Sequence, residues 1–285
     1  MSTRMTRREF ARAAGAVAAG TALTSEATKA SAGQFTGRIE KAVKYHMISG
    51  DMSVLDKFKL LKEVGFDGVE IRVGDKAPIE EVAAAIKETG LPVHGVVLGS
   101  VEGIEDAVDL AKAYGATSVL LVAGRVDENM PYAKNYEQTQ ATIHAAIPYA
   151  EGQKIKLLVE NVWNNFLLSP LEMRRYIDEL DSEWVGVYFD VGNVVRFGWP
   201  EHWIPVLGDR IGKLDIKEYS RDKQRNEGLW KGFNVKIGEG SIDWAAVRAE
   251  LEKIGYSGWA TAEVSGGDRE RLADIAARMN KVLDL

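Results

Sequence analysis

From about residue 40 onward, short aliphatic and β-branched runs alternate with stretches whose apolar positions recur at helical spacing, eight of each. The strand-like runs are Ala42–Ile48, Gly68–Val73, Val93–Leu98, Ser118–Val122, Ile155–Asn161, Val185–Asp190, Gly212–Lys217 and Gly258–Val264. Between them lie amphipathic helices, with Leu55, Phe58 and Leu61 along one face of the first and Val247, Leu251 and Ile254 along that of the seventh. The punctuation agrees. Ser169-Pro170 places a capping hydroxyl before a proline at the first helical position, and Ser241 is read as the cap of a helix starting at Ile242. Gly65, Gly90, Gly115 and Gly255 fall where helices should end. A repeated βα unit implies a parallel sheet, and eight units in about 250 residues predict an α/β protein built as one (β/α)₈ TIM barrel over residues 33–285. The alternative is an open doubly wound sheet. It is disfavoured because the units are near equal and no G-x-G-x-x-G follows the first strand.

Residues 1–32 do not fit the repeat. Arg4, Arg7, Arg8 and Arg12 precede a mildly apolar run from Ala13 to Leu23, and Ala30-Ser31-Ala32 offers a small-residue cleavage site. That layout predicts a cleavable export signal. Thr6-Arg7-Arg8-Glu9-Phe10 resembles the twin-arginine signal, so the expected partner is the twin-arginine machinery and the expected location is the periplasm.

With 36 Lys and Arg against 42 Asp and Glu, the formal charge is −6, which gives no reason to expect binding to a nucleic-acid backbone. The first 32 residues carry five of the basic and two of the acidic side chains, so processing deepens the acidity. The absence of cysteine excludes disulfides, thiolate nucleophiles and Cys-ligated zinc. No apolar run is long enough for a membrane span, and no Walker loop, G-x-S-x-G or H-E-x-x-H motif is present.

In a barrel of this kind the site forms where strands end, and four consecutive strands end in or carry an acid. Strand 5 reads Leu157-Leu158-Val159-Glu160, strand 6 Tyr188-Phe189-Asp190, strand 7 Leu214-Asp215-Ile216-Lys217 and strand 8 Thr261-Ala262-Glu263. Glu160, Asp190, Asp215 and Glu263 would repel one another unless a cation lay among them, and oxygen-only ligation favours Mg²⁺ or Mn²⁺. The competing reading pairs some of these acids with Lys213, Lys217 or Arg196.

The strings Asp190-Val191-Gly192-Asn193, Ile211-Gly212-Lys213-Leu214-Asp215-Ile216-Lys217-Glu218, Gly238-Glu239-Gly240-Ser241-Ile242-Asp243-Trp244 and Gly255-Tyr256-Ser257-Gly258-Trp259 resemble the xylose-isomerase-like TIM barrels, the sugar and sugar-phosphate isomerases and epimerases. The resemblance implies Glu160 and Glu263 as the acid–base pair and Asp190 as a metal ligand. It further implies a proton moved at the carbon beside a keto sugar's carbonyl, through an enediolate. Asp215 stands where that family commonly has a ligand histidine, and Asn193 where it has a second one. Lys213, two residues before Asp215 and therefore on the same strand face, is the expected charge compensator. Two readings stay open: a working site with altered metal preference, or a barrel that binds carbohydrate without turnover. A lyase acting on oxidised sugars through the same enolate is a further variant. The related endonuclease branch needs a histidine-rich site and a basic cleft, which four histidines and this charge do not supply.

His94, Trp163, Asn193, Lys213, Lys217 and Arg221 are the expected substrate contacts, with Arg225 and Lys231 in the same long loop after strand 7. His46 is a weaker candidate at the end of strand 1, whereas His144 and His202 read as helical and structural. The expected partner is a small carbohydrate, and a homo-oligomer is left open.

Overall fold

The computed structural model describes residues 32–285, and the export-signal expectation lies outside them. Eight strands close into an all-parallel barrel in chain order: β1 Ile39–Lys44, β2 Gly68–Arg72, β3 Val93–Val97, β4 Ser118–Leu121, β5 Lys156–Glu160, β6 Val185–Asp190, β7 Ile211–Ile216 and β8 Gly258–Ala262. Closure is direct, since Ile39 to Val43 of β1 pair in register with Gly258 to Ala262 of β8. That pairing excludes the open sheet.

The outer layer follows the expected caps. α1 (Val54–Glu63), α2 (Ile79–Thr89), α3 (Ile104–Tyr114) and the long α4 (Tyr132–Gln153) cover the first half. α5 (Pro170–Asp178) opens on Ser169, whose hydroxyl accepts from the Glu172 amide with proline at the first helical position. A short α6 (Val191–Val194) follows β6 directly, then α7 (Pro200–Leu207), α8 (Arg221–Glu227), α9 (Trp244–Lys253) and α10 (Arg269–Leu283). Gly90 and Gly115 end their helices at φ +69° and +74°, a conformation that disfavours any side chain. Among the described residues, no helix is long and apolar enough to cross a membrane.

Two local expectations are corrected. β1 begins three residues earlier than its apolar run and stops at Lys44, where Tyr45–Met47 form a 3₁₀ turn. The chain leaves the barrel there because Gly267 donates its amide to Met47 O and Ser49 donates to Gly267 O, so residues 47–49 bond to the loop after β8 instead of to β2. His46 therefore sits exposed on a turn. α9 is capped by Asp243, which accepts from the Ala246 amide, and the Ser241 hydroxyl instead accepts from the Arg221 amide.

The main core lies between sheet and helices, with Val69, Ile71, Val119, Leu121, Val187 and Phe189 pointing outward into it. Inside the barrel the apolar fill is small, a cluster of Leu120, Leu158 and Tyr188. Above that plug the interior is polar. Lys44, Glu70, His94, Ser118, Lys213, Asp215 and Thr261 are all buried, which is uncommon for a barrel core and demands internal pairing.

Candidate active site

Strand ends 5 to 8 bring their carboxylates together. One oxygen each from Glu160, Asp190, Asp215 and Glu263 lies within 4.8 Å of all the others. The register explains it: Asp190 and Asp215 are direct partners across β6 and β7, and Glu160 pairs with Tyr188 one turn of the pleat below Asp190. Asp190 and Asp215 have no solvent exposure, whereas the Glu263 side chain keeps 30% and faces the mouth.

Two lysines pair with this cluster. Lys217 Nζ lies 2.7 Å from both Asp190 Oδ2 and Glu263 Oε2. Lys44 Nζ, from the end of β1, donates to Asp215 Oδ2 at 2.9 Å and stands 3.2 Å from Glu263 Oε1 and 3.8 Å from Glu70 Oε2. Burial opposes charge on the Lys44 ammonium, but Asp215, Glu263 and Glu70 around it hold its pKa well above the ordinary lysine value. Burial and then the Glu263 charge push Glu160 well above the carboxylate range. Burial does the same to Asp215, against Lys44. Glu263 is the opposite case, because Lys217 and Lys44 outweigh its burial and hold it low.

The compensator is therefore not Lys213. It shares Asp215's inward face, as expected, but one layer deeper, where its ammonium donates to His94 O at 2.6 Å, to Thr117 Oγ1 at 3.3 Å and meets His94 Nδ1 at 3.0 Å. Burial lowers its pKa to about 8. His94 is likewise placed away from the mouth: it is 2% exposed, stacked on the Trp259 ring at 4.5 Å, with Nε2 3.1 Å from Thr261 Oγ1. Burial and the Lys213 charge push the imidazole well below its usual pKa, so it is neutral and accepts from Lys213 at Nδ1. Both residues bond to one another and to neighbouring strands inside the barrel. His94→Ala removes the Nδ1 contact to Lys213, the Nε2 contact to Thr261 and the stacking on Trp259 while leaving Lys213 its bonds to the residue 94 carbonyl and Thr117, and is expected to cost about 1–3 kcal/mol of stability, read as a lower denaturant midpoint. A folded variant with wild-type stability would show that the network contributes nothing.

Asn193 and Trp163 do reach the site. The Asn193 side chain donates to Asn161 O at 3.0 Å and faces Glu160 Oε1 at 3.4 Å, while its own oxygen accepts from Lys217 at 3.3 Å. Trp163 donates its indole N–H to Asn193 O at 2.8 Å. Arg221 turns away: its guanidinium donates to Val195 O and Gly198 O and lies over Trp199 at 4.7 Å, so it ties the loop after β6. Arg225 pairs with Asp222, and Lys231 is exposed.

Glu70 and Lys44 were missed from sequence. They are register partners on β2 and β1, and Glu70 is fully buried with neither carboxylate oxygen hydrogen-bonded. A Cβ at Gly95 would come within 2.7 Å of Glu70 Oε1, which accounts for the glycine opposite it on β3. The available signal was a lone acid inside Gly68-Val69-Glu70-Ile71, an inward position by alternation.

A family profile described as xylose isomerase-like TIM barrel matches residues 58–282. A protein of Escherichia coli (strain K12), provisionally named L-ribulose-5-phosphate 3-epimerase, is 24% identical over 245 residues, 74% of this chain and 83% of its own. Two solved structures share the fold. The 3-keto-D-glucoside 4-epimerase of E. coli, in its apo form, superimposes with a TM-score of 0.70 at 18% identity, covering 86% of this chain and 99% of that one. A protein crystallised with a bound zinc atom does so with a TM-score of 0.71 at 14% identity, covering 86% and 98%.

Proposed function

Because this chain belongs to the xylose isomerase-like TIM barrel family, we propose that it is a divalent-metal-dependent sugar isomerase or epimerase in which Glu160 and Glu263 move a proton beside a carbonyl. The observation that carries the reading is the convergence of four strand-end carboxylates within 4.8 Å. The electrostatics support a cation: burial and the surrounding acids push Glu160 and Asp215 well above the carboxylate range, a repulsion that a bound cation would relieve. Asp215 Oδ1, buried without a hydrogen bond, is an oxygen left for it. Oxygen-only donors suit Mn²⁺ or Mg²⁺.

Glu160, Asp190, Asp215 and Glu263 would hold the ion, whose contribution when bound is to polarise a carbonyl and ease loss of the adjacent proton. The residues do the rest. Glu160 and Glu263 lie within reach of one bound ring, so one takes the proton and the other returns it. Asn193 fixes Glu160 and Lys217 with the same amide.

One observation favours a second reading, a barrel that binds carbohydrate without turnover: Lys217 already bridges Asp190 and Glu263 at 2.7 Å each, where a cation's charge would serve. Metal analysis of the purified protein, followed by solvent deuterium exchange over a panel of keto sugars, separates the two. About one divalent ion per chain, with label entering one carbon of a keto sugar, is the expected result. Metal-free protein that exchanges no sugar would establish the binding barrel, and release of a glycosidic group would redirect the reading to the lyase.

A further inference from the structure

The geometry points to a carbohydrate-stacking ledge beside the mouth, built by Trp230 and Phe233, that receives a second sugar ring carried on the reacting one. The substrate class is then a neutral glycoside and not a sugar phosphate. This rests on the proposed reading that a keto sugar reacts at the carboxylates.

An aromatic path runs from the charged cluster to the surface. Lys217, which touches Asp190 and Glu263, sits 5.5 Å above the Phe233 ring. Phe233 packs 4.8 Å from Trp163 and 6.4 Å from Trp230, and Trp163 lies 5.0 Å from Trp230. Trp230 is nevertheless 67% exposed. A tryptophan left in water beside two aromatic neighbours is a recognition feature more than a packing one.

The turn that carries the ring is held by bonds to its backbone. Trp230 belongs to the 3₁₀ turn Leu229–Phe233, whose Leu229 carbonyl accepts from the Tyr219 hydroxyl at 2.8 Å and whose Gly232 carbonyl accepts from the Ser220 amide at 2.8 Å. A Cβ at Gly232 would lie 2.3 Å from the Tyr219 ring, so the turn is seated on a fully buried side chain. An indole carried on a fixed turn costs less ordering to bind, which favours stacking on the apolar C–H face of a pyranose.

The loop's cations argue against a phosphate. Arg221 donates to two backbone carbonyls, Lys223 donates to Asn234 O, and Arg225 pairs with Asp222. Arg196 lies over the Trp163 ring at 4.9 Å, stacked as an extension of the ledge. Lys231 on the same turn and Arg196 are both exposed, but the Arg196 guanidinium lies over the indole, and a lone lysine makes no bidentate clamp for a dianion. A one-ring substrate at Glu263 meets Phe233 first. Trp230, one ring farther out, serves only a substituent.

The test uses the full processed chain and inert probes read by tryptophan fluorescence: methyl β-glucoside, cellobiose, maltose and glucose 6-phosphate. A disaccharide is expected to bind at least tenfold tighter than methyl glucoside and tighter than the phosphate, with Trp230→Ala erasing the tenfold gain and Trp230→Phe keeping most of it. Equal affinities, tighter phosphate binding, or a Trp230→Ala variant that still prefers the disaccharide would overturn the ledge. So would a dimer in sedimentation that Trp230→Ala dissolves, since a second copy would then be the occupant. Deuterium exchange keeps the two ideas apart: exchange without disaccharide preference removes the ledge and leaves the isomerase, and the reverse pattern leaves the ledge and removes the isomerase.

Discussion

Glu160→Gln and Glu263→Gln each lower deuterium exchange into a keto sugar by about 10²–10⁴-fold, the usual worth of a positioned acid or base. Glutamine keeps an oxygen and nearly the same volume, so the carboxylate cluster stays assembled and metal content falls less than activity does. The two substitutions should not behave alike in the folded protein. Glu263 carries the ion pairs to Lys44 and Lys217, at 3.2 and 2.7 Å, and its loss leaves both ammoniums short of charge. Glu160 is buried among acids that with its burial already disfavour its charged form, and its hydrogen-bond partner is the Asn193 amide, at 3.4 Å, so the neutral glutamine costs little. Glu160→Gln is therefore expected to melt near wild type while Glu263→Gln melts lower. Proton exchange surviving in either variant at more than a tenth of the wild-type rate would remove that glutamate from the acid–base pair.

The acids at the ends of β5 to β8 were legible in sequence because each closes an apolar run, and a parallel barrel places consecutive strand ends side by side. The barrel itself was legible for the same reason, with the helix ends at Gly90 and Gly115 and the Ser169-Pro170 start all where the punctuation put them. What escaped was the compensating charge. Strand alternation puts Lys213 and Asp215 on one face, but the two-residue rise of about 6.6 Å sets Lys213 a layer below, against His94. Lys44 was hidden by the misjudged end of β1. An apolar run continuing to Ile48 makes Lys44 an interior position, whereas the loop after β8 pulls the chain out at Tyr45 and leaves Lys44 closing the strand. Arg221 was read as substrate-facing from its loop alone, and only the fold reveals the two carbonyls that its guanidinium serves.

Lys44→Met is expected to be the most destabilising single change in the site. The ammonium is enclosed by Asp215, Glu263 and Glu70, and its own pKa is held high by them, so it enters the folded state charged. Methionine fills similar volume but leaves three acids with one lysine fewer, and breaking a buried pair in this way costs about 3–5 kcal/mol. For a domain of this size, each kcal/mol is roughly 2–4 °C in melting temperature, so a fall on the order of 10 °C is expected. Glu70→Gln added to Lys44→Met should recover part of it, because Glu70 is fully buried with no hydrogen bond of its own and has Lys44 as its ion-pair partner. Mn²⁺ should raise the melting temperature of Lys44→Met more than that of the parent, since a cation that binds only the folded state stabilises most where positive charge is most lacking. A Lys44→Met protein that melts within 2 °C or so of the parent would show that Glu70 and Asp215 enter the fold protonated. An equal response of both proteins to Mn²⁺ would show that the ion and the Lys44 ammonium do not share the same carboxylates.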